Sequence, residues 1–283
     1  MTLVDALLAA GTTLSFEFFP PKTENAQRNL EKVVAELAAV SPSFVSVTCG
    51  AGGQPHDRTA EVVADISRTR DFPAMAHLTC VGHTRAQIEA QLAEYAANGV
   101  RNILALAGDP PADGSEPTGD FRYAIELVEL IRSHGDFCVA VAAHPEVHPR
   151  SPDRDTDRRH LAEKLELADL AITQFFFDPD LYARLVDELA VLGNDKPIVP
   201  GVFPVTSPAV VRRFAGMNAA AVPEDFFARV EAADAPERHR MAVDAAVELS
   251  QALLDRGAPG VHLYTMNRSE VALDVVAALG LRG

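Results

Sequence analysis

Cysteine is scarce. The three residues at positions 49, 80 and 138 are odd in number, lie far apart and form no C-x-x-C pair, which argues against a disulfide framework and a cysteine zinc site. Only four lysines occur among the 283 residues, and acidic groups outnumber basic ones by 40 to 25, for a formal charge of −15. No basic run interrupts that excess, so a phosphate backbone or an anionic leaflet would be repelled, and neither nucleic acid nor membrane is expected as a partner. A site for an anionic ligand must be assembled locally from a few cations and backbone N–H groups. No apolar run approaches the ~20 residues of a membrane-spanning helix. The N-terminus carries Asp5 and no basic n-region, so residues 2–10 read as a short amphipathic helix rather than a secretory signal. A cytoplasmic location is the resulting expectation.

Hydrophobic residues make up 48% and charged residues 23%, the balance of an ordinary globular protein with a large core. Eight short apolar or alternating runs, at 14–18, 43–48, 74–79, 102–107, 137–143, 170–175, 198–203 and 260–265, read as strands. Most are followed by a helical pattern and start about 30 residues apart, the length of one strand–helix unit. This predicts a (β/α)₈ TIM barrel occupying residues 1–283 as one domain. Between the seventh and eighth strands, 207–216, 223–232 and 236–256 read as three extra helices, an insertion rather than a second domain. Residues 87–98 form a helical pattern that stops at Gly99, and 152–157 read as a charged, proline-containing loop. An open doubly wound sheet is the competing layout, but no G-x-G-x-x-G follows the first strand.

In such a barrel the carboxyl ends of the strands face a common pocket. The polar residues there are Glu17, Thr48, His77, Asp109, His144, Gln174 and Tyr264. Glu17 alternates with Phe16 and Phe18, so it should point away from those rings and into the barrel mouth, where burial without a cation would raise its pKa and suit it to donate a proton. The competing reading is a structural, salt-bridged glutamate. Asp109 follows Gly108 directly after a strand and reads either as a ligand-facing carboxylate or as the cap of the next helix. Gln174 carries an amide that can both donate and accept at a heterocycle edge. His144, Glu146 and His148 look superficially like a metal cluster, but Pro145 and the extended context argue against both imidazoles meeting one ion, and no metal is assigned.

These residues sit in phrases: Ser15-Phe16-Glu17-Phe18-Phe19-Pro20-Pro21, Phe44-Val45-Ser46-Val47-Thr48, His77-Leu78-Thr79-Cys80, Pro145-Glu146-Val147-His148-Pro149, Ile172-Thr173-Gln174-Phe175-Phe176-Phe177-Asp178 and Tyr264-Thr265-Met266-Asn267-Arg268. Their identity and order, from residue 15 to 268, resemble the methylenetetrahydrofolate reductase family in its bacterial, catalytic-domain-only form. The resemblance implies a barrel that reduces 5,10-methylenetetrahydrofolate to 5-methyltetrahydrofolate with NADH or NADPH, for one-carbon metabolism and methionine synthesis. It implies Glu17 as general acid in ring opening and Asp109 as the anion that favours the iminium intermediate and binds the pterin. It also implies Gln174 as an orienting amide, Phe214 as a stacking ring, Tyr264 beside the substrate and Arg268 against a carboxylate of the folate tail. Homo-oligomers are common in the family.

The family cofactor is FAD, and Thr48, His77, Asp109, His144, Lys164, Gln174 and Phe214 fall where the resemblance implies cofactor binding. The chain departs from the flavin pattern nonetheless. Where the family has a tyrosine after the second strand, an arginine before Gly-Asp, a tyrosine before Pro-Glu and a basic residue before lysine, this sequence has Cys49, Ala107, His144 and Glu163. The stretch 165–170 also lacks the family's glycine turn. A hydrogen bond to a charged group contributes ~1.5–3 kcal/mol, so losing two would weaken flavin binding by roughly two to four orders of magnitude. Two routes stay open, hydride transfer through FAD or directly from the nicotinamide to the iminium. Two other classes compete with a reductase: a metal-dependent barrel hydrolase or lyase using His77, Asp109, His144 and His148, and a non-catalytic folate-binding protein.

Overall fold

The structure, a computed structural model, describes residues 3, 11–49, 58–108 and 118–281. Among these, the strands are β1 (Thr13–Phe18), β2 (Phe44–Val47), β3 (Ala74–Thr79), β4 (Asn102–Leu106), β5 (Cys138–Ala143), β6 (Leu170–Thr173), β7 (Ile198–Val199), β8 (Gly201–Val202) and β9 (Gly260–Tyr264). All pairings are parallel, in the order β7-β6-β5-β4-β3-β2-β1-β9-β8. The helices of the repeating units are α1 (Glu24–Ala38), α2 (Thr59–Thr69), α3 (Arg85–Ala97), α4 (Ala124–His134), α5 (Arg154–Leu167) and α6 (Pro179–Val191). Then come α7 (Pro208–Asn218), α8 (Glu224–Ala232), α9 (Ala235–Asp255) and the closing α10 (Glu270–Leu279). The expected TIM barrel is therefore present, with its extra helices between the last two strands of the ring. Among the described residues no helix is long and apolar enough to cross a membrane.

Alternation along each strand sorts residues between two layers. Leu14, Phe16 and Phe18 of β1 join the main apolar cluster between sheet and helices. Phe44, Met75, Leu104, Ala140, Leu170 and Val199 point inward and, with Leu3, fill the interior toward the amino ends of the strands. A fully buried side chain of this kind stabilises the fold by ~1.5–3 kcal/mol. Apart from Leu3, which is helical and buried, the helix expected over residues 2–10 lies outside the described residues.

Caps set the helix starts. Thr84 and Gln87 form a capping box at α3, and Asp153 accepts from the Thr156 N–H at the start of α5. The second cap corrects the reading of 152–157 as a loop: residues 154–157 are the first turn of a helix, stabilised by Asp155 and Asp157 at its positive end.

The run 198–203, read as one strand, is divided at Pro200, which has no N–H to continue the ladder. The ring passes from neighbour to neighbour there, with β7 paired to β6 and β8 to β9. Side chains repair the gap: the Gly201 N–H donates to Thr173 Oγ1 at 2.9 Å, and the Tyr264 hydroxyl donates to the Thr173 carbonyl at 2.9 Å. A Cβ at position 201 would lie 2.5 Å from that carbonyl and 2.6 Å from the Tyr264 ring. Gly201→Ala is therefore expected to destabilise the fold by ~1–3 kcal/mol, as overpacking typically does. Gly216→Ala, within α7 and with nothing near its would-be Cβ, should be neutral or stabilising by up to ~1 kcal/mol. Denaturant unfolding of the two variants measures the contrast.

Candidate active site

The carboxyl ends of the strands open into a cleft of about 950 Å³ empty volume. Glu17, Thr48, His77, His144, Gln174, Phe214 and Tyr264 all line it. Asp109 lies outside the described residues. Arg268 is exposed on the loop after β9, and Lys164 is half-buried on α5; neither belongs to the described lining.

Glu17 faces the cleft as its alternation with two buried phenylalanines requires, but it is not solitary. Its Oε2 lies 3.5 Å from His77 Nε2 and 3.7 Å from His262 Nε2. His262 escaped the sequence reading, although it shares the inward face of β9 with Tyr264, two residues away. It is fully buried, stacked on Phe44 at 5.7 Å. Its Nδ1 lies 2.8 Å from Ser15 Oγ, whose hydroxyl points at the Val261 carbonyl, 3.3 Å away. Its Nε2 faces Ser46 Oγ, at 3.2 Å, and Glu17. Mid-strand serines in apolar runs gave no signal beyond their parity.

Burial lowers the His77 pKa to about 4, outweighing the attraction of Glu17. His77 is therefore neutral near pH 7. Its Nε2 and Thr48 Oγ1 are buried and have no hydrogen-bond partner among the described residues, two polar atoms at the cleft wall that a ligand would satisfy. His144 is lowered further, to about 3, by burial and then by His148, Lys164 and neighbouring arginines. Its ring meets His148 edge to face at 4.5 Å, a packing contact and not a shared focus. Among the described residues no three His, Cys, Asp or Glu side chains gather as a metal-binding group. The Lys164 ammonium donates to the Ala142 carbonyl at 3.2 Å, and burial lowers its pKa to about 8.

Across the cleft, the Phe214 ring on α7 lies 6.5 Å from Phe19 and 6.0 Å from Phe203. The Gln174 side-chain oxygen accepts from the Phe175 N–H at 2.9 Å, which fixes the orientation of its amide. The Tyr264 hydroxyl is held protonated by burial and by Glu17, and is committed to the Thr173 carbonyl. The ring, rather than the hydroxyl, is what Tyr264 presents to the cleft. Below His144, the buried Arg158 donates to the carbonyls of His144, Pro145 and Glu146 at 2.8–3.0 Å, and Glu146 accepts from the Ala221 N–H at 2.9 Å. The loop after β5 is thereby tied to the insertion that carries Phe214.

The family model described as methylenetetrahydrofolate reductase matches residues 3–280. The chain belongs to the methylenetetrahydrofolate reductase family. It is 36% identical over 280 residues to the 5,10-methylenetetrahydrofolate reductase of Pectobacterium carotovorum, covering 98% of this chain and 93% of that one. The Escherichia coli protein of the same name is 35% identical, with 95% and 91% covered. An Arabidopsis thaliana relative, methylenetetrahydrofolate reductase (NADH) 1, is 34% identical over 95% of this chain but 48% of its own length. Among solved structures, an uncharacterized Clostridium thermocellum protein that binds two copies of 5-methyl-5,6,7,8-tetrahydrofolic acid superposes with a TM-score of 0.66 at 12% identity, covering 98% and 96% of the two chains, a likeness of fold. Membership of the reductase family favours neither the hydrolase nor the binding-protein reading.

The two suppressed histidines make a pH prediction. Each binds a proton less readily folded than unfolded, where the value is 6.5, so the folded state gains nothing from acid while the unfolded state does. Their contribution to stability is complete above about pH 6.5 and is lost as pH falls toward about 4 for His77 and about 3 for His144. The melting temperature should drop across that window, and His77→Gln and His144→Gln should each flatten the slope in a pH series of thermal melts.

Proposed function

We propose that this chain, acting as a single barrel domain, reduces 5,10-methylenetetrahydrofolate to 5-methyltetrahydrofolate with a reduced nicotinamide dinucleotide as electron donor. The observation that carries the reading is the Glu17 carboxyl group at the floor of an otherwise largely apolar cleft, opposite Phe214 and Gln174, in a chain of this family. Opening the five-membered ring of the substrate requires a proton on the departing nitrogen, and Glu17 is the group placed to supply it. Ring opening leaves an iminium cation, which a nearby fixed anion favours; Asp109 is assigned that task, together with binding of the pterin. Phe214 supplies a face on which a flat heterocycle stacks, and Gln174 an amide for its edge. The hydride adds to the methylene carbon, so one proton and one hydride enter and the methyl product and oxidised nicotinamide leave. Arg268, exposed at the rim, suits the carboxylates of the folate tail.

Thr48 Oγ1 and His77 Nε2 suit the polar edge of a flavin as well as that of a pterin or nicotinamide. The described lining is a poor fit for a tightly held FAD, however. It includes no lysine or arginine, its two histidines are neutral, and Lys164 is turned to a backbone carbonyl. A pyrophosphate would find little positive charge there. These features support direct transfer from the nicotinamide to the iminium, with both ligands in the cleft together.

Glu17→Gln should leave the fold and folate binding intact while turnover falls by ~10²–10⁴, the usual cost of losing a general acid, as measured by steady-state kinetics beside folate titration. Near-normal turnover would remove Glu17 from the role. Protein stripped of flavin, verified by its visible spectrum, should still oxidise NADH or NADPH when methylenetetrahydrofolate is added. Activity that disappears on stripping and returns with FAD would overturn the direct route.

A further inference from the structure

The last register pair between β1 and β9 is Glu17 with Tyr264, so the strand ladder ends at the residue whose side chain faces the cleft. The backbone does not come apart there. Thr265 donates to the Glu17 carbonyl through its hydroxyl, at 2.7 Å, and its N–H lies 3.4 Å from the same oxygen. Two residues on, the side chain of Asn267 takes over as a strand partner: Phe19 N–H donates to Asn267 Oδ1 at 2.9 Å, and Asn267 Nδ2 donates to the Phe19 carbonyl at 2.9 Å. A side-chain amide has the donor and acceptor of a peptide group, and here it pairs with both main-chain atoms of one residue as a neighbouring strand would.

This pairing is obtained in an unfavourable backbone. Met266 and Asn267 both have positive φ, 52° and 55°, a region that side chains other than glycine rarely enter. Several bonds fix the bend. Asn267 N–H donates to Thr265 Oγ1 at 3.2 Å, Arg268 N–H to the Thr265 carbonyl at 3.0 Å, and Asn29 Nδ2 to the Asn267 carbonyl at 3.0 Å. The bend turns Met266 into the cleft lining, and the clamp holds Phe19, which lies against Phe214. Among the described residues no backbone N–H donates to the Glu17 carboxyl group, which is placed by the main chain on either side of it and by the two imidazoles.

We propose that Asn267 is a positioning residue for the reductase reaction: by extending the β1–β9 ladder one step past Glu17 with its side-chain amide, it fixes the Glu17 carboxyl and the Phe19 wall relative to the bound folate. The proposal rests on the assignment of Glu17 as the acid. A purely conformational role for Asn267, as a residue tolerant of positive φ, would be filled equally well or better by glycine. A role through the amide would not.

The test measures kcat, folate KM and melting temperature for Asn267→Gly, alone and combined with Glu17→Gln. Asn267→Asp, which keeps the acceptor for Phe19 N–H but sets a carboxylate oxygen against the Phe19 carbonyl, serves in the same way if the glycine variant does not fold. Misplacement of a reacting group by about 1 Å costs on the order of 10²-fold in rate, so kcat should fall ~10–100-fold with KM changed far less and the melting temperature held. The double variant should be no slower than Glu17→Gln. Wild-type kcat in Asn267→Gly beside an impaired Glu17→Gln overturns the proposal while leaving the acid assignment standing. So does a loss that tracks a lowered melting temperature and weakened folate binding, or a double variant slowed by the full product of the two single losses. Wild-type turnover in Glu17→Gln alone overturns the acid assignment, and with it this route of action.

Discussion

The mouth of this barrel depends on the parallel pairing of β1 with β9, the join between the first and last strands of the ring. That seam brings Ser15, Glu17, His262 and Tyr264 onto one inward-facing surface, although nearly the whole chain separates them in sequence. A parallel ladder fixes register residue by residue, and a slip of one position would turn each of these side chains to the other face, among the phenylalanines. The ring must also close on the other side of β9, where Pro200 interrupts the ladder. There the Tyr264 hydroxyl and Thr173 replace the missing main-chain bond, so one aromatic side chain belongs both to the cleft and to the closure of the fold.

Local pattern was enough to read most of the architecture, because short strands of apolar parity and a helix that stops at Gly99 are written in neighbouring residues. The reading missed where composition and capping point to different structures. Residues 152–157 look like a loop by composition, yet an aspartate cap and a buried Arg158 one turn later make a helix of the segment. The candidate site was legible as strand-end polar residues, and Glu17, Thr48, His77, His144, Gln174 and Tyr264 do line one cleft, with Phe214 added from a helix. What parity alone did not reveal is the layer beneath. His262 reads as a polar residue in an apolar strand until Ser15 and Ser46 are seen on either side of it. The neutrality of His77 and His144 comes from desolvation, which composition does not report.

The electrostatic character of the cleft is unusual for a protein that handles anionic ligands. The molecule carries a large negative excess, and the described lining adds a carboxylate, two uncharged imidazoles and aromatic surface. Among the described residues the lining offers aromatic surface and a few directed hydrogen bonds rather than positive charge.

The insertion after β8 shares an apolar cluster with the strand-end loops, in which Phe175 and Phe203 meet Val211, Phe227 and Val230 apart from the main barrel core. Phe214, one wall of the cleft, stands on this smaller unit, and the Glu146–Ala221 bond ties the unit to the loop after β5. Separate cores open with separate free energies. The amide hydrogens of α7 and α8 are therefore expected to exchange with solvent faster than those of β1 and β9, through an opening of the small cluster. The Phe214 wall of the cleft thus stands on a different apolar cluster from the one that backs the strand carrying Glu17.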